Sequence, residues 1–150
     1  MPTPDDVIRI ARLFLFVREA QSLSQNHGQR VEAIQHWSGG VAGDSWCAHF
    51  VTMILDLAYK GKAPIPRGGS CEAIHQQAIK AGWVRPFARP GMLYIYLNRA
   101  GVAHHIGIVT SVNPLMGIAG NTSADGTSSN GDRVAEHAIS AQVFIDYNRS

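Results

Sequence analysis

The apolar positions of this chain change period once, and the change divides it into a helical first half and an extended second half. Pro4-Asp5-Asp6 reads as a helix start, because proline and carboxylates suit a first turn whose amides are unpaired. Val7, Ile10, Ala11, Phe14 and Val17 follow at helical intervals, and Ile8 and Leu15 widen the stripe. A second, more polar helix is predicted from Arg30 to Trp37. Residues 38–43, Ser-Gly-Gly-Val-Ala-Gly, read as a connector whose small residues let the backbone approach a neighbouring element or ligand closely. A central helix is predicted from Trp46 to Tyr59. Ala48, Val51, Leu55 and Ala58 line one of its faces and Phe50, Ile54 and Leu57 an adjoining one, which implies burial nearly all round. Ser70 is placed to cap a helix from Cys71 to Lys80 that Gly82 ends.

Beyond Gly82 the spacing becomes that of strands. Met92–Leu97 is entered through Arg89-Pro90-Gly91, and Asn98–Gly101 is a tight turn. Ala103–Val112 carries branched residues at 106, 108, 109, 110 and 112. Leu115–Gly120 is short and weakly strand-like, Ser123–Asp132 is a polar loop, and Arg133–Ile139 and Gln142–Tyr147 close the chain as two strands. Helices followed by an antiparallel meander predict an α+β domain. All 150 residues read as one domain, with 44–148 as its core and 1–40 as a helical region without an assigned role.

Composition narrows the classes. The chain is 45% apolar and 16% charged, enough to bury a core and unlike a disordered segment. Net charge is +2 and no two basic residues adjoin, so a nucleic-acid partner is not indicated. Phe14–Val17 lies between Arg12 and Arg18, too short a span for membrane insertion. The opening Met-Pro-Thr-Pro has no basic region of the signal-peptide kind, so action outside the cytoplasm would call for delivery by other means or for a longer parent that has been trimmed. The two cysteines, Cys47 and Cys71, form no disulfide framework. Both read as free thiols, Cys71 as a small buried filler.

The chemistry lies in three segments. In Asp44-Ser45-Trp46-Cys47, the thiol falls in the first turn of the central helix, where unpaired amides and the helix dipole favour a thiolate. His104-His105 opens the long strand. Alternation puts 105, 107 and 109 on one face and 104, 106 and 108 on the other, and either face suits a general base. His105 is the assigned base, with Gly107 leaving room for the nucleophile helix. In Gly120-Asn121-Thr122, the Asn121 amide is the candidate to orient the imidazole. The oxyanion hole would use the Cys47 amide and a second donor from Ser45, Asp44 or the 39–43 loop. Trp46 either walls the cleft or fills the core. His49, two residues from Cys47, does not converge with it on a helix, which disfavours a metal site built from these histidines. The constellation reads as a papain-like thiol hydrolase that requires no metal or organic cofactor.

These segments resemble the cysteine, histidine-dependent amidohydrolase/peptidase (CHAP) domain, within the NlpC/P60 papain-like superfamily. Trp46-Cys47-Ala48-x-Phe50-Val51 resembles its nucleophile segment and Arg89-Pro90-Gly91-Met92-Leu93 its strand entry. His105-Ile106-Gly107-Ile108-Val109 is similar to its histidine strand, and Gly120-Asn121-Thr122 to its Gly-Asn segment. The resemblance spans 44–123. Ala119 stands where many members carry glutamate, and Met92 where aspartate is common. The resemblance implies a papain-like fold with Cys47 as nucleophile, His105 as base and Asn121 behind it. It implies cleavage of amide bonds in peptidoglycan by an amidase or endopeptidase, as in phage endolysins, autolysins and antibacterial toxins. Action would be at the bacterial cell wall after lysis, export or delivery, with an immunity partner if the chain is a delivered effector. The rival readings are a non-catalytic wall-binding or scaffold module and a thiol deamidase or acyltransferase.

Overall fold

The computed structural model describes residues 1–20, 23, 25–124, 126 and 131–148. Four helices, α1 (Pro4–Arg12), α2 (Gln29–Trp37), α3 (Cys47–Ala58) and α4 (Cys71–Ala81), pack against a six-stranded antiparallel sheet. Its strands are β1 (Val84–Arg85), β2 (Leu93–Leu97), β3 (Ala103–Val112), β4 (Leu115–Thr122), β5 (Arg133–Ala138) and β6 (Val143–Ile145). This is the α+β architecture that the change of period predicts.

The helix boundaries follow their end signals. Thr3 and Asp6 form a reciprocal capping box at the start of α1. Ser70 Oγ accepts the Ala73 amide at the start of α4, and Gly82 closes that helix in the left-handed conformation at φ 73°. One boundary departs from the pattern. The helical spacing runs on to Val17, but α1 ends at Arg12. The amides of Leu13, Phe14 and Leu15 bond three residues back, which tightens the chain into turns. Val17 still reaches the core at 1% exposure, while Arg18 bridges Arg133 beside β5. Spacing registers burial, and a turn can bury the same residues as a helix.

The sheet order is β1-β6-β2-β3-β4-β5. Strands β2 to β5 form the expected meander. The last strand instead returns to the far side of β2, pairing Leu93 with Ile145 and Tyr94 with Phe144. The two-residue β1 then pairs with β6, an edge too short to leave a sequence pattern. Half of the 123–132 loop falls outside the described residues.

The core has two layers. Between helices and sheet lie Phe50, Val51, Ile54 and Leu55 of α3 with Ile106, Ile108 and Ile118 of the sheet, all fully buried. The same cluster takes in Val7, Ile8 and Ala11 of α1 and Val31 and Ile34 of α2. Each large side chain contributes about 1.5–3 kcal/mol on burial. Residues 47–55 of α3 are buried without exception, as its two apolar faces predict. On the other face of the sheet Met92, Tyr94, Val109, Ala119 and Phe144 form a smaller cluster.

Glycines set the closest approaches. A Cβ at Gly120 would meet Trp46 and Phe50 carbons at 2.8–2.9 Å, so glycine at this position lets the start of α3 lie on β4. Gly107 does not serve that purpose, contrary to the sequence expectation. A Cβ there would meet the Tyr94 ring at 2.3 Å, on the sheet face away from the Ile106 and Ile108 side chains. Gly120→Ala is expected to lower unfolding free energy by about 1–3 kcal/mol through overpacking, read by urea denaturation. An unchanged midpoint would mean that the helix has room to retreat.

Candidate active site

Cys47 is the first residue of α3, and its helix has no side-chain cap at Trp46, so the first-turn amides remain available to an anion. The thiol is buried, 4% exposed. Cys71 is likewise the first residue of α4, and its sulfur stands 3.4 Å from that of Cys47. The Cys47 pKa lies well below that of an ordinary thiol. The hydrogen bond with Cys71 is the main cause, followed by hydrogen bonding and charge from His105 and a bond from the Ile106 backbone; burial opposes them. Cys71 moves the other way, raised by its bond to Cys47 and by burial. The two sulfurs share one hydrogen bond, and the direction of the shifts favours the thiolate at Cys47.

Of the two strand histidines, His105 is the one beside the thiol. It is 2% exposed and stacks on Tyr96, its cross-strand partner, with ring centroids 6.0 Å apart. His104 is exposed and lies over the same tyrosine at 6.4 Å. Asn121 is 1% exposed and holds a positive φ of 55°, which asparagine tolerates better than most residues. The Ile108–Ile118 and Val109–Gly117 pairs set the register of β3 on β4, and His105 and Asn121 lie beyond the Ile108–Ile118 end of it. The expected hydrogen bond between them is not made. His105 Nδ1 and Asn121 Oδ1 are both buried without a hydrogen-bond partner, and so is the Tyr94 hydroxyl.

The segment before the nucleophile is held by a polar clasp. His49 is buried, with Nδ1 against Ser38 Oγ and Nε2 3.3 Å from Asp44 Oδ2. A Cβ at Gly40 would meet the His49 ring at 2.4 Å and one at Gly69 would meet it at 2.3 Å, so the glycines of two loops close on this imidazole. Asp44 also accepts the Val41 amide, and Gln35 Nε2 donates to the Asp44 carbonyl at 2.7 Å. Cys47, His49 and the salt-bridged Asp44 thus cluster at the start of α3, an arrangement consistent with a cysteine-hydrolase site in general. Trp46 belongs to the core at 0% exposure, with its indole N–H donating to Glu19 Oε2 at 2.8 Å, so it does not wall a cleft.

A cleft of about 490 Å³ opens between the starts of α3 and α4, lined by residues 38–40, Asp44, Ser45, His49, Gly69 and Ser70. A larger hollow of about 620 Å³ lies between the amino-terminal prolines and Arg89–Met92, away from the thiol. Ser45 and His49 flank Cys47 in sequence at two residues each, and Ser70 adjoins Cys71. Among the described residues, no group of three His, Cys, Asp or Glu side chains is placed to hold a metal ion.

Sequence reasoning gave Cys71 only the part of a small buried filler at a helix start and gave Glu72 no part in the site. Glu72 Oε1 accepts the Ala103 amide at 2.8 Å and His75 Nδ1 at 3.0 Å, while Oε2 accepts Gln76, which ties the first turn of α4 to the start of β3. The Ala103 amide foremost, then Gln76 and His75, draw the Glu72 carboxyl down to about 2. One signal for both residues was legible: Ser70-Cys71-Glu72, like Trp46-Cys47, puts a cysteine at a helix start.

Two outcomes are expected. Iodoacetamide modification of Cys47, followed by peptide mass mapping, should proceed well below the ordinary thiol range of about 8.5. Cys71→Ala and His105→Ala should each shift that pH profile upward. Glu72→Gln should lower the melting temperature at neutral pH. The folded carboxyl pKa, about 2, lies below its ordinary value of 4.5, so its stabilisation is complete above 4.5 and fades as pH falls toward 2. Thermal melts of wild type and variant should converge across that window.

Comparison of the chain with known protein families, with curated proteins and with solved structures finds no match.

Proposed function

We propose that this chain is a cysteine hydrolase of the CHAP type that cleaves amide bonds of bacterial peptidoglycan, as an N-acetylmuramoyl-L-alanine amidase or an endopeptidase. The observation that carries the thiol chemistry is the position of the Cys47 sulfur at the first turn of α3, 3.4 Å from that of Cys71 and beside His105. The substrate class rests on the CHAP-like order of the nucleophile, histidine and Gly-Asn segments. Site of action follows from the substrate: the cell wall, reached after lysis, export or delivery, with an immunity partner where delivery is into a competitor.

In this reading the Cys47 thiolate attacks the amide carbonyl, and the Cys47 amide with a second donor near Ser45 receives the oxyanion. His105 then protonates the departing nitrogen. Water, deprotonated by the same imidazole, releases the acyl group and restores the thiolate. Asn121 Oδ1 accepts the second ring N–H once the imidazolium forms. Ala119 offers no carboxylate for that task, which leaves Asn121 to perform it.

A second reading, a thiol deamidase or acyltransferase acting on small amides, is favoured by the burial of both reacting groups, 4% exposed at Cys47 and 2% at His105. Digestion of purified peptidoglycan followed by fragment mass analysis separates the two. Cleavage is expected with wild type, none with Cys47→Ala or His105→Ala, and reduced cleavage with Asn121→Ala; His104→Ala should be mild. The fragment masses name the bond. Equal cleavage by wild type and Cys47→Ala would refute the mechanism, and turnover of glutamine-like amides without wall cleavage would favour the second reading. A dead His104 variant beside an active His105 variant would move the base to the other strand face. A dead His49 variant beside active ones at 104 and 105 would move it to the His49–Asp44 pair.

A further inference from the structure

Hydrolysis needs one cysteine at this site, and the fold brings two together. Cys47 and Cys71 begin separate helices, 24 residues apart in sequence, with sulfurs 3.4 Å apart and both thiols free. Both are buried, so an oxidised Cys47 meets Cys71 before any thiol from solution. A disulfide needs about 2.05 Å between sulfurs. The helix starts are independently anchored, α3 by its fully buried face and α4 by the Ser70 cap and the Glu72–Ala103 bond, so the two thiols are held as neighbours. The cleft reaches Ser45 and Ser70, two residues and one residue before the cysteines, which themselves keep 4% and 8% exposure.

We propose that Cys47 and Cys71 are a reversible redox pair, in which hydrogen peroxide oxidises Cys47 and Cys71 resolves it to an intramolecular disulfide. The thiolate of Cys47 attacks one peroxide oxygen; the O–O bond breaks, and the released hydroxide takes a proton and leaves as water. Cys47 is then a sulfenic acid. The Cys71 sulfur attacks the Cys47 sulfur, the S–O bond breaks, and the departing hydroxide takes the Cys71 proton as a second water. Two thiols have lost two electrons, and peroxide has gained them. An external dithiol reverses the step by exchange and is itself left as a disulfide. The opposite proton preferences of the two thiols suit this order, since the thiolate is the species that peroxide oxidises. That the disulfide silences an enzyme rests on the hydrolytic reading above; the pair chemistry does not.

The test is peroxide treatment of the full chain, followed by thiol counting under denaturing conditions and peptide mass mapping. Wild type should lose both thiols, lose the mass of two hydrogens and yield a linked peptide joining residues 47 and 71. Dithiothreitol should restore both thiols. Cys71→Ser should halt at a Cys47 sulfenic acid that dimedone traps, and should pass to a sulfinic acid that dithiothreitol does not recover. Wild-type Cys47 passing to sulfinic acid as readily as in Cys71→Ser, with Cys71 left free, would overturn the proposal, and so would a disulfide formed only between chains. If Cys71→Ser fails to fold, the linked peptide and its reversal in wild type decide alone. A reversible linked peptide in a protein that never cleaves peptidoglycan would uphold the pair and refute the hydrolytic reading.

Discussion

Confinement of the Cys47 sulfur at the start of α3 is the constraint on which the rest of the site depends. A thiolate is costly to bury unless donors meet it. Here the Cys71 thiol, the His105 imidazole and the Ile106 amide do so, from α4 and from the start of β3. None of these groups is near Cys47 in sequence. The charge on the sulfur is therefore a property of how α4 and β3 dock on α3, and loosening either contact would return the thiol to its ordinary pKa.

Docking in turn is fixed by apolar burial and by two polar ties. Residues 47–55 leave α3 no alternative to the position between sheet and helices. Gly120 admits Trp46 and Phe50 to the surface of β4, which sets how close the helix start comes to Asn121. Glu72 binds the first turn of α4 to β3 at Ala103, two residues before His105. On the other side, His49 closed between Gly40 and Gly69 joins the loops that precede the two cysteine helices. The site is thus pinned on both flanks, by the Glu72 tie on one and by the His49 clasp on the other.

Beside this well-satisfied thiol, three buried polar atoms have no hydrogen-bond partner: Tyr94 Oη, His105 Nδ1 and Asn121 Oδ1. Each orphan costs about 1–3 kcal/mol. Tyr94 belongs to the smaller layer of the sheet, while His105 lies on β3 and Asn121 on β4.

Local chemistry made much of this legible. The helix starts at Pro4 and Cys71, the left-handed stop at Gly82, the bounds of β3 and the all-round burial of α3 follow from residue type and spacing, because caps, turns and periodicity act within a few residues. So did the position of Cys47 in a helical first turn. What lay beyond local pattern was decided by tertiary contact. The same stripe of apolar residues serves a helix up to Arg12 and turns beyond it. A two-residue β1 and the return of β6 to β2 depend on partners distant in sequence. Which histidine faces the thiol cannot be settled by alternation, since a strand offers two equivalent faces until packing chooses one. Cys71 showed the limit most plainly: its own segment marks it as a helix start, but only the meeting of α3 and α4 makes it the partner of Cys47, because a contact across 24 residues is fixed by the packing of whole elements.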